Sequence, residues 1–151
     1  MALKPRVARK NRESTFDVAL DLETWGLGGP VALWCMVDSA GGRYRGTKVG
    51  EILPTLKRIA SSRSMGNGSK SLTIWAHNGG GYDYLLMFPE HPFSVFEDGG
   101  LWVESKLLLG VIRLNRRQCL RFRDTLSLFP STTLAELGRA VKMEKGITPQ
   151  D

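Results

Sequence analysis

Asp21 and Glu23 bracket a single leucine at the end of an apolar run, residues 15–20, that reads as a strand. In an extended chain, residues i and i+2 point to the same side, so both carboxylates can face one cleft. Two carboxylates held close repel each other unless one is protonated or a cation sits between them. Oxygen-only ligands of this kind suit Mg²⁺ or Mn²⁺ and not Zn²⁺. On the residues alone, the pair reads equally as an acidic turn facing solvent.

A second cluster, His77-Asn78-Gly79-Gly80-Gly81-Tyr82-Asp83, lies between a short apolar strand at 72–76 and a short helical pattern at 82–88, stopped by Pro89. Three successive glycines let another backbone, or a nucleotide, approach closely. Asn78 offers an amide to a sugar or base, and Tyr82 offers a ring for stacking. Asp83 near a helix N-terminus is well placed for its charge, which is by itself a sufficient structural reason for it. Further on, Arg117, Arg121 and Arg123 alternate with other residues on a predicted strand, with Arg113 and Arg116 nearby. Such a row is a track for phosphates, or else a solvated strand face that discourages edge pairing. Trp25, in the loop after the acidic pair, is the tryptophan best placed to stack on a base; Trp34, Trp75 and Trp102 read as packing residues.

The elements that must position these groups alternate in type. A strand at 31–37 turns at Gly41-Gly42 into another at 43–47. Ile52, Leu53, Leu56 and Ile59 have helical spacing within 49–60. Residues 61–71 are rich in Ser and Gly and read as a flexible loop. Strands are expected at 93–97, 101–105, 107–114 and 117–123, then a helix over 133–141 capped by Ser131 or Thr132 with Glu136 in its first turn. Mixed strands and helices imply an α/β or α+β domain.

Composition narrows the class. The chain has 151 residues, 42% hydrophobic, which suits one domain and excludes disorder throughout. No apolar run approaches the ~20 residues of a membrane-crossing helix, so no membrane partner is expected. Cys35 and Cys119 are too few and too far apart for a disulfide framework or a zinc site, and each reads as a small buried hydrophobe. The net charge of +6, from 21 Lys+Arg against 15 Asp+Glu, raises the odds of a polyanionic partner. Lys4, Arg6, Arg9, Lys10 and Arg12 crowd the start with no apolar stretch after them. Residues 1–14 therefore read as a basic flexible tail, 15–141 as one domain, and 142–151 as a tail or the start of a continuation.

Taken together, the two motifs resemble a known family. Asp21-Leu22-Glu23-Thr24 after one strand, and His77 through Asp83 after another, resemble the first two motifs of the 3′–5′ exonuclease domain of family B DNA polymerases, the protein-primed branch above all. The stretch Arg123-Asp124-Thr125-Leu126-Ser127-Leu128-Phe129-Pro130, followed by Leu134-Ala135-Glu136-Leu137-Gly138, is similar to a further segment of that branch. The resemblance runs over residues 16–141. It implies a ribonuclease H-like α/β fold, a mixed β-sheet flanked by helices, here with an added β-hairpin ladder. It implies Asp21, Glu23 and Asp83 as ligands of two Mg²⁺ or Mn²⁺ ions, and two-metal hydrolysis of the terminal phosphodiester. Asn78 and Tyr82 would hold a single-stranded DNA 3′ end, Thr24 would contact the terminal nucleotide, and His77 and Asp124 would support or orient. Partners implied are single-stranded DNA and the rest of a polymerase or a terminal protein. A cytoplasmic location follows, the host's if the source is viral, with a mitochondrial plasmid left open.

One part of the family pattern is missing. Its third motif, Tyr-x₃-Asp, occurs nowhere in the sequence, and no His-x₄-Asp replaces it. Three expectations compete: the chain is a piece of a longer polymerase, another chain completes the site, or hydrolysis is lost and a single-stranded nucleic-acid-binding module remains.

Overall fold

The computed structural model of the chain describes residues 16–62, 70–89 and 92–142. The N-terminal basic segment, most of the expected Ser/Gly-rich loop (63–69) and the C-terminal stretch 143–151 lie outside the described residues.

Strand β1 (Phe16–Thr24) is the spine. Its Val18, Leu20, Leu22 and Thr24 are all at most 5% exposed, while Ala19 and Asp21 are exposed and Glu23 is half-buried. That is the period of two expected of a strand with one packed face. The strand therefore runs through the acidic pair and does not stop before it: the carboxylates take the outward positions, where their charge stays hydrated, and Leu22 and Thr24 continue the inward row. β2 (Val31–Asp38) and β3 (Arg43–Gly46) follow as an antiparallel meander. Helix α1 (Ile52–Ser62) buries Ile52, Leu56 and Ile59 as foreseen, with Thr55 buried as well and Leu53 only half-buried. β4 (Lys70–Ala76) then pairs parallel to β1.

After β4 come two short helices, α2 (Asp83–Met87) and α3 (Pro92–Val95). The strand expected at 93–97 is thus a helical turn followed by a 3₁₀ turn. Pro92 favours a helix start. Phe96, at 4% exposure, is drawn inward to pack on Gly110, where a Cβ would lie 2.5 Å from its ring. β5 (Leu101–Val103) and β6 (Lys106–Arg113) form the added hairpin, and β7 (Gln118–Asp124) closes a seven-stranded mixed sheet of order β3-β2-β1-β4-β7-β6-β5. β7 runs parallel to β4 and antiparallel to β6. Helix α4 (Leu134–Ala140) starts at Thr133, and not at Ser131 or Thr132. The reason is a reciprocal cap: the Glu136 N–H donates to Thr133 Oγ1 at 3.2 Å and the Thr133 N–H donates to Glu136 Oε2 at 2.7 Å.

The fold is α/β, with the main core on one side of the sheet. Tyr84 and Phe88 meet Phe122 of β7 edge-to-face, with centroids 5.3 and 5.8 Å apart, and Phe96 joins at 5.4–5.7 Å. Each such pair adds about 0.5–1.5 kcal/mol beyond its buried area. Cys119 is buried as expected, but Cys35 is exposed, because its register partner is Asp21 and the two share the side of the sheet turned away from the main core.

Candidate functional site

Parallel pairing between β1 and β4 ends at Ala19↔Trp75. Beyond it, the N–H of Leu22 has left the ladder, and the carboxylate of Asp83 takes its place: Leu22 N–H donates to Asp83 Oδ1 at 3.1 Å. A residue 61 positions downstream is thereby docked on the backbone between Asp21 and Glu23. Asp83 is only 4% exposed. Its burial, and next the negative charge of Asp21, push its carboxyl up from 3.8 to about 7. The charges of Asp21 and Glu23 also reach Cys35, whose thiol is raised by partial desolvation first and then by these two carboxylates. The end of β1 is a concentrated negative field.

The turn carrying Asp83 is fixed from three sides. Gly80 is buried against β6, where a Cβ would fall 1.9 Å from the Leu107 carbonyl oxygen. The close approach the glycines allow is therefore made by protein backbone. The Gly80 N–H donates to Asp124 Oδ2 at 3.1 Å, and Asp124 Oδ1 accepts the Leu126 N–H at 2.8 Å. Asp124, 3% exposed, stitches the glycine turn to the end of β7. Tyr84 extends its hydroxyl to the carbonyls of Ile74 and Arg123, bridging β4 and β7 beneath the turn. No spacing in the sequence singles Tyr84 out, since it looks like one more apolar position of a short helix.

The remaining expected residues spread around this point. Thr24 Oγ1 donates to the Gly26 carbonyl at 2.9 Å, so the Tyr82 hydroxyl, 2.8 Å away, donates to Thr24. The two hydroxyls tie the end of β1 to the start of α2. Asn78 adopts a left-handed conformation (φ 60°) and is half-buried. His77 shares a hydrogen bond with Thr125 Oγ1 at 2.9 Å. Both Asp21 and His77 line a groove of about 350 Å³ between the sheet and α4, whose other walls are mostly apolar, including Val37, Leu134 and Leu137.

The expected arginine row is shorter than foreseen. Arg117 falls in the turn before β7, its N–H donating to Asn115 Oδ1 at 2.9 Å, and Arg113 is engaged by Glu97 at 3.0–3.1 Å. Arg121 and Arg123 do share a face of β7. Arg123 stacks its guanidinium 5.6 Å from the Trp75 ring centroid, while Trp75 donates Nε1–H to Asp17 Oδ1 at 2.9 Å. Trp25 is 61% exposed in the loop after β1. Among the described residues, no three His, Cys, Asp or Glu side chains converge into a group that could hold one metal ion. What converges is a pair, Asp21 with Asp83, with Glu23 two residues further along the same side of β1. Its donors are all oxygen, which fits a hard divalent cation.

No family model matches the sequence, and no curated protein matches it. The fold is found in solved DNA polymerases. Phi29 DNA polymerase, in its complex with primer-template DNA and incoming nucleotides, superposes with a TM-score of 0.54 at 10% identity, over 91% of this chain and 25% of that one. Its complex with single-stranded DNA superposes with 0.53 at 11% identity, over 89% and 25%. The family B DNA polymerase of the hyperthermophilic archaeon Pyrobaculum calidifontis gives 0.55 at 16% identity, over 89% and 20%. The chain thus spans a quarter or less of the polymerases whose fold it shares.

Proposed function

We propose that this chain is a metal-dependent 3′–5′ exonuclease domain of family B polymerase type, acting on the 3′ end of single-stranded DNA. The observation that carries the reading is the docking of Asp83 onto the Leu22 N–H, inside the Asp21–Glu23 pair. The charge of Asp21 raises the Asp83 carboxyl, and a divalent cation between such acids would relieve their repulsion. Asp21, Glu23 and Asp83 would hold Mg²⁺ or Mn²⁺. Bound there, such ions supply a hydroxide from coordinated water and positive charge for the leaving 3′-oxygen.

The chain's own residues would then act as follows. The buried Asp83, fixed by its Oδ1 contact to the Leu22 N–H of β1, would be one ligand of the ion. Asp21 and Glu23 face the open side of the sheet, from which a strand end can approach. Thr24 and Tyr82, joined by their hydroxyls, and Asn78 with His77 form the polar border against which a terminal nucleotide would be oriented. Arg121 and Arg123, two strands away, would attract the phosphates behind it. Phi29 DNA polymerase is bound to DNA in the two complexes named above, which is consistent with this partner.

The test is Mg²⁺- or Mn²⁺-dependent release of mononucleotides from a 5′-labelled single strand by the purified chain. Asp21→Ala with Glu23→Ala should abolish it. Equal activity in that double variant rejects the assignment. A second reading has its own support: among the described residues the acids do not close into a three-ligand group, and Tyr-x₃-Asp is absent from the sequence. That reading is a hydrolytically silent module that binds single strands. It predicts salt-sensitive binding with no trimming in Mn²⁺, and clean 3′-end trimming dismisses it.

A further inference from the structure

The open edge of the sheet carries a second cluster of charge, opposite in sign to the first. Arg43 and Arg45 alternate on β3, and both are exposed. The register pairs Asp21 with Cys35 and Cys35 with Arg45, so the three share one cross-strand row. Two strand spacings put Arg45 about 10 Å from Asp21 along that row. Arg58 of α1 joins Arg43 and Arg45 around a cleft of about 630 Å³ that wraps the β3 edge onto the α1 side of the sheet, where Trp34, Tyr44, Glu51 and Thr55 also line it. Three guanidiniums thus face one carboxylate. None of the three has an ion-pair or side-chain hydrogen-bond partner among the described residues.

The cleft's aromatic residues are held as wall. Tyr44 donates its hydroxyl to Asp38 Oδ2 at 2.9 Å, and Trp34 donates Nε1–H to the Lys48 carbonyl at 3.0 Å. With no ring turned out to stack, the cleft reads charge and shape, and guanidinium forks match phosphate oxygens. An added peptide strand is disfavoured, because β3 is only four residues long and presents a charge at alternate positions. We infer that this cleft is a second anchor for the phosphodiester backbone of the single strand whose end lies at Asp21. At the roughly 3.4 Å per phosphate of a stacked strand, Arg45 lies about three phosphates behind that end, and the strand would round the β3 edge there to enter the cleft. The inference rests on the strand-binding part of the proposed function and not on hydrolysis.

The test is fluorescence anisotropy with the full chain and a labelled oligothymidylate of about twenty nucleotides, in EDTA, across a NaCl titration. Replacing Arg43, Arg45 and Arg58 together by Ala should weaken binding about tenfold or more near 0.1 M salt and reduce the log–log salt slope by about 2, the contribution of three phosphate contacts on a single strand. The same three changed to Lys should keep most of the slope, which guards against a folding defect. Removing equal charge elsewhere, with Arg113→Ala, Arg139→Ala and Lys142→Ala, should cost clearly less. Unchanged binding in the cleft variant, an equal loss in the control variant, or displacement of the DNA by oligoglutamate as readily as by unlabelled oligothymidylate overturns the inference. Metal-dependent trimming is scored separately: its absence, with the cleft effect intact, removes the exonuclease reading and leaves the anchor standing.

Discussion

The two faces of β1 differ by a single residue step and have opposite characters. Inward, Val18, Leu20 and Leu22 are sealed at 5% exposure or less against a core that includes Ile74, Phe122 and Tyr84. Outward, Ala19 and Asp21 remain in contact with water, Glu23 partly so, and the neighbouring strands add Cys35, Val37, Trp75 and Arg123. One face carries the cohesion of the fold and the other carries charge that weakens it. Asp83 is the exception that links them: its backbone belongs to the packed side and its carboxylate is spent on the charged end of β1. Changes on the packed face should therefore remove fold and binding together, whereas changes on the open face should separate them.

The largest effect is expected from Phe122→Ala. Its ring is fully buried and meets three other aromatic rings, so the variant should lose about 3–5 kcal/mol in urea unfolding. Nucleic-acid binding should fall only in proportion to the unfolded fraction; a fully folded variant that no longer binds would blur the division between the faces.

Asp83→Asn should move stability in the other direction. The carboxyl of Asp83 is raised from 3.8 to about 7 in the folded protein. The folded state thus binds more protons between those values, and the stability contributed by this group is fully present below about pH 4 and lost as pH rises through about 7. Asparagine imitates the protonated acid and can still accept the Leu22 N–H. It should stabilise the chain by on the order of 2 kcal/mol near pH 8 and by almost nothing near pH 4. Thermal unfolding of both proteins across that range checks the sign; a variant less stable near pH 8 contradicts it. The same variant should lose any rise in Tm that Mg²⁺ or Mn²⁺ produces in the parent.

The smallest effect on stability belongs to Arg123→Ala. Its stacking on Trp75 is solvent-exposed and contributes about 0.5–1 kcal/mol at most. Yet its loss should lower the salt slope of single-strand binding by about 0.7, the share of one phosphate contact. Parallel chemical denaturation and salt titrations separate the two quantities. A large stability loss with an unchanged slope would make Arg123 a packing residue.

Much of this architecture was legible from local pattern. The apolar runs of β1 and β2, the helical spacing of Ile52, Leu56 and Ile59, and the hairpin glycines all report burial or turn geometry within a few residues. The misreadings are informative for the same reason. Residues 93–97 have the composition of a strand, but a proline start and the pull of Phe96 into the aromatic cluster made them helical. Arg117 continued an alternating row in sequence, yet the turn at Asn115 took it off the strand. Of the candidate site, residue types and the Asp-x-Glu spacing could be read directly, and so could the glycines that let a turn pass close to β6.

By itself the sequence determined a mixed α/β domain, a paired carboxylate at the end of its first strand, and a glycine-rich turn ending in a third acid. Those depend on interactions between near neighbours in the chain. Only the tertiary structure decided that Asp83 docks on the Leu22 N–H, that Asp124 and Tyr84 hold its turn, and that Arg45 shares a row with Asp21. These contacts join residues far apart in sequence, and strand order and register, which no local period encodes, bring them together.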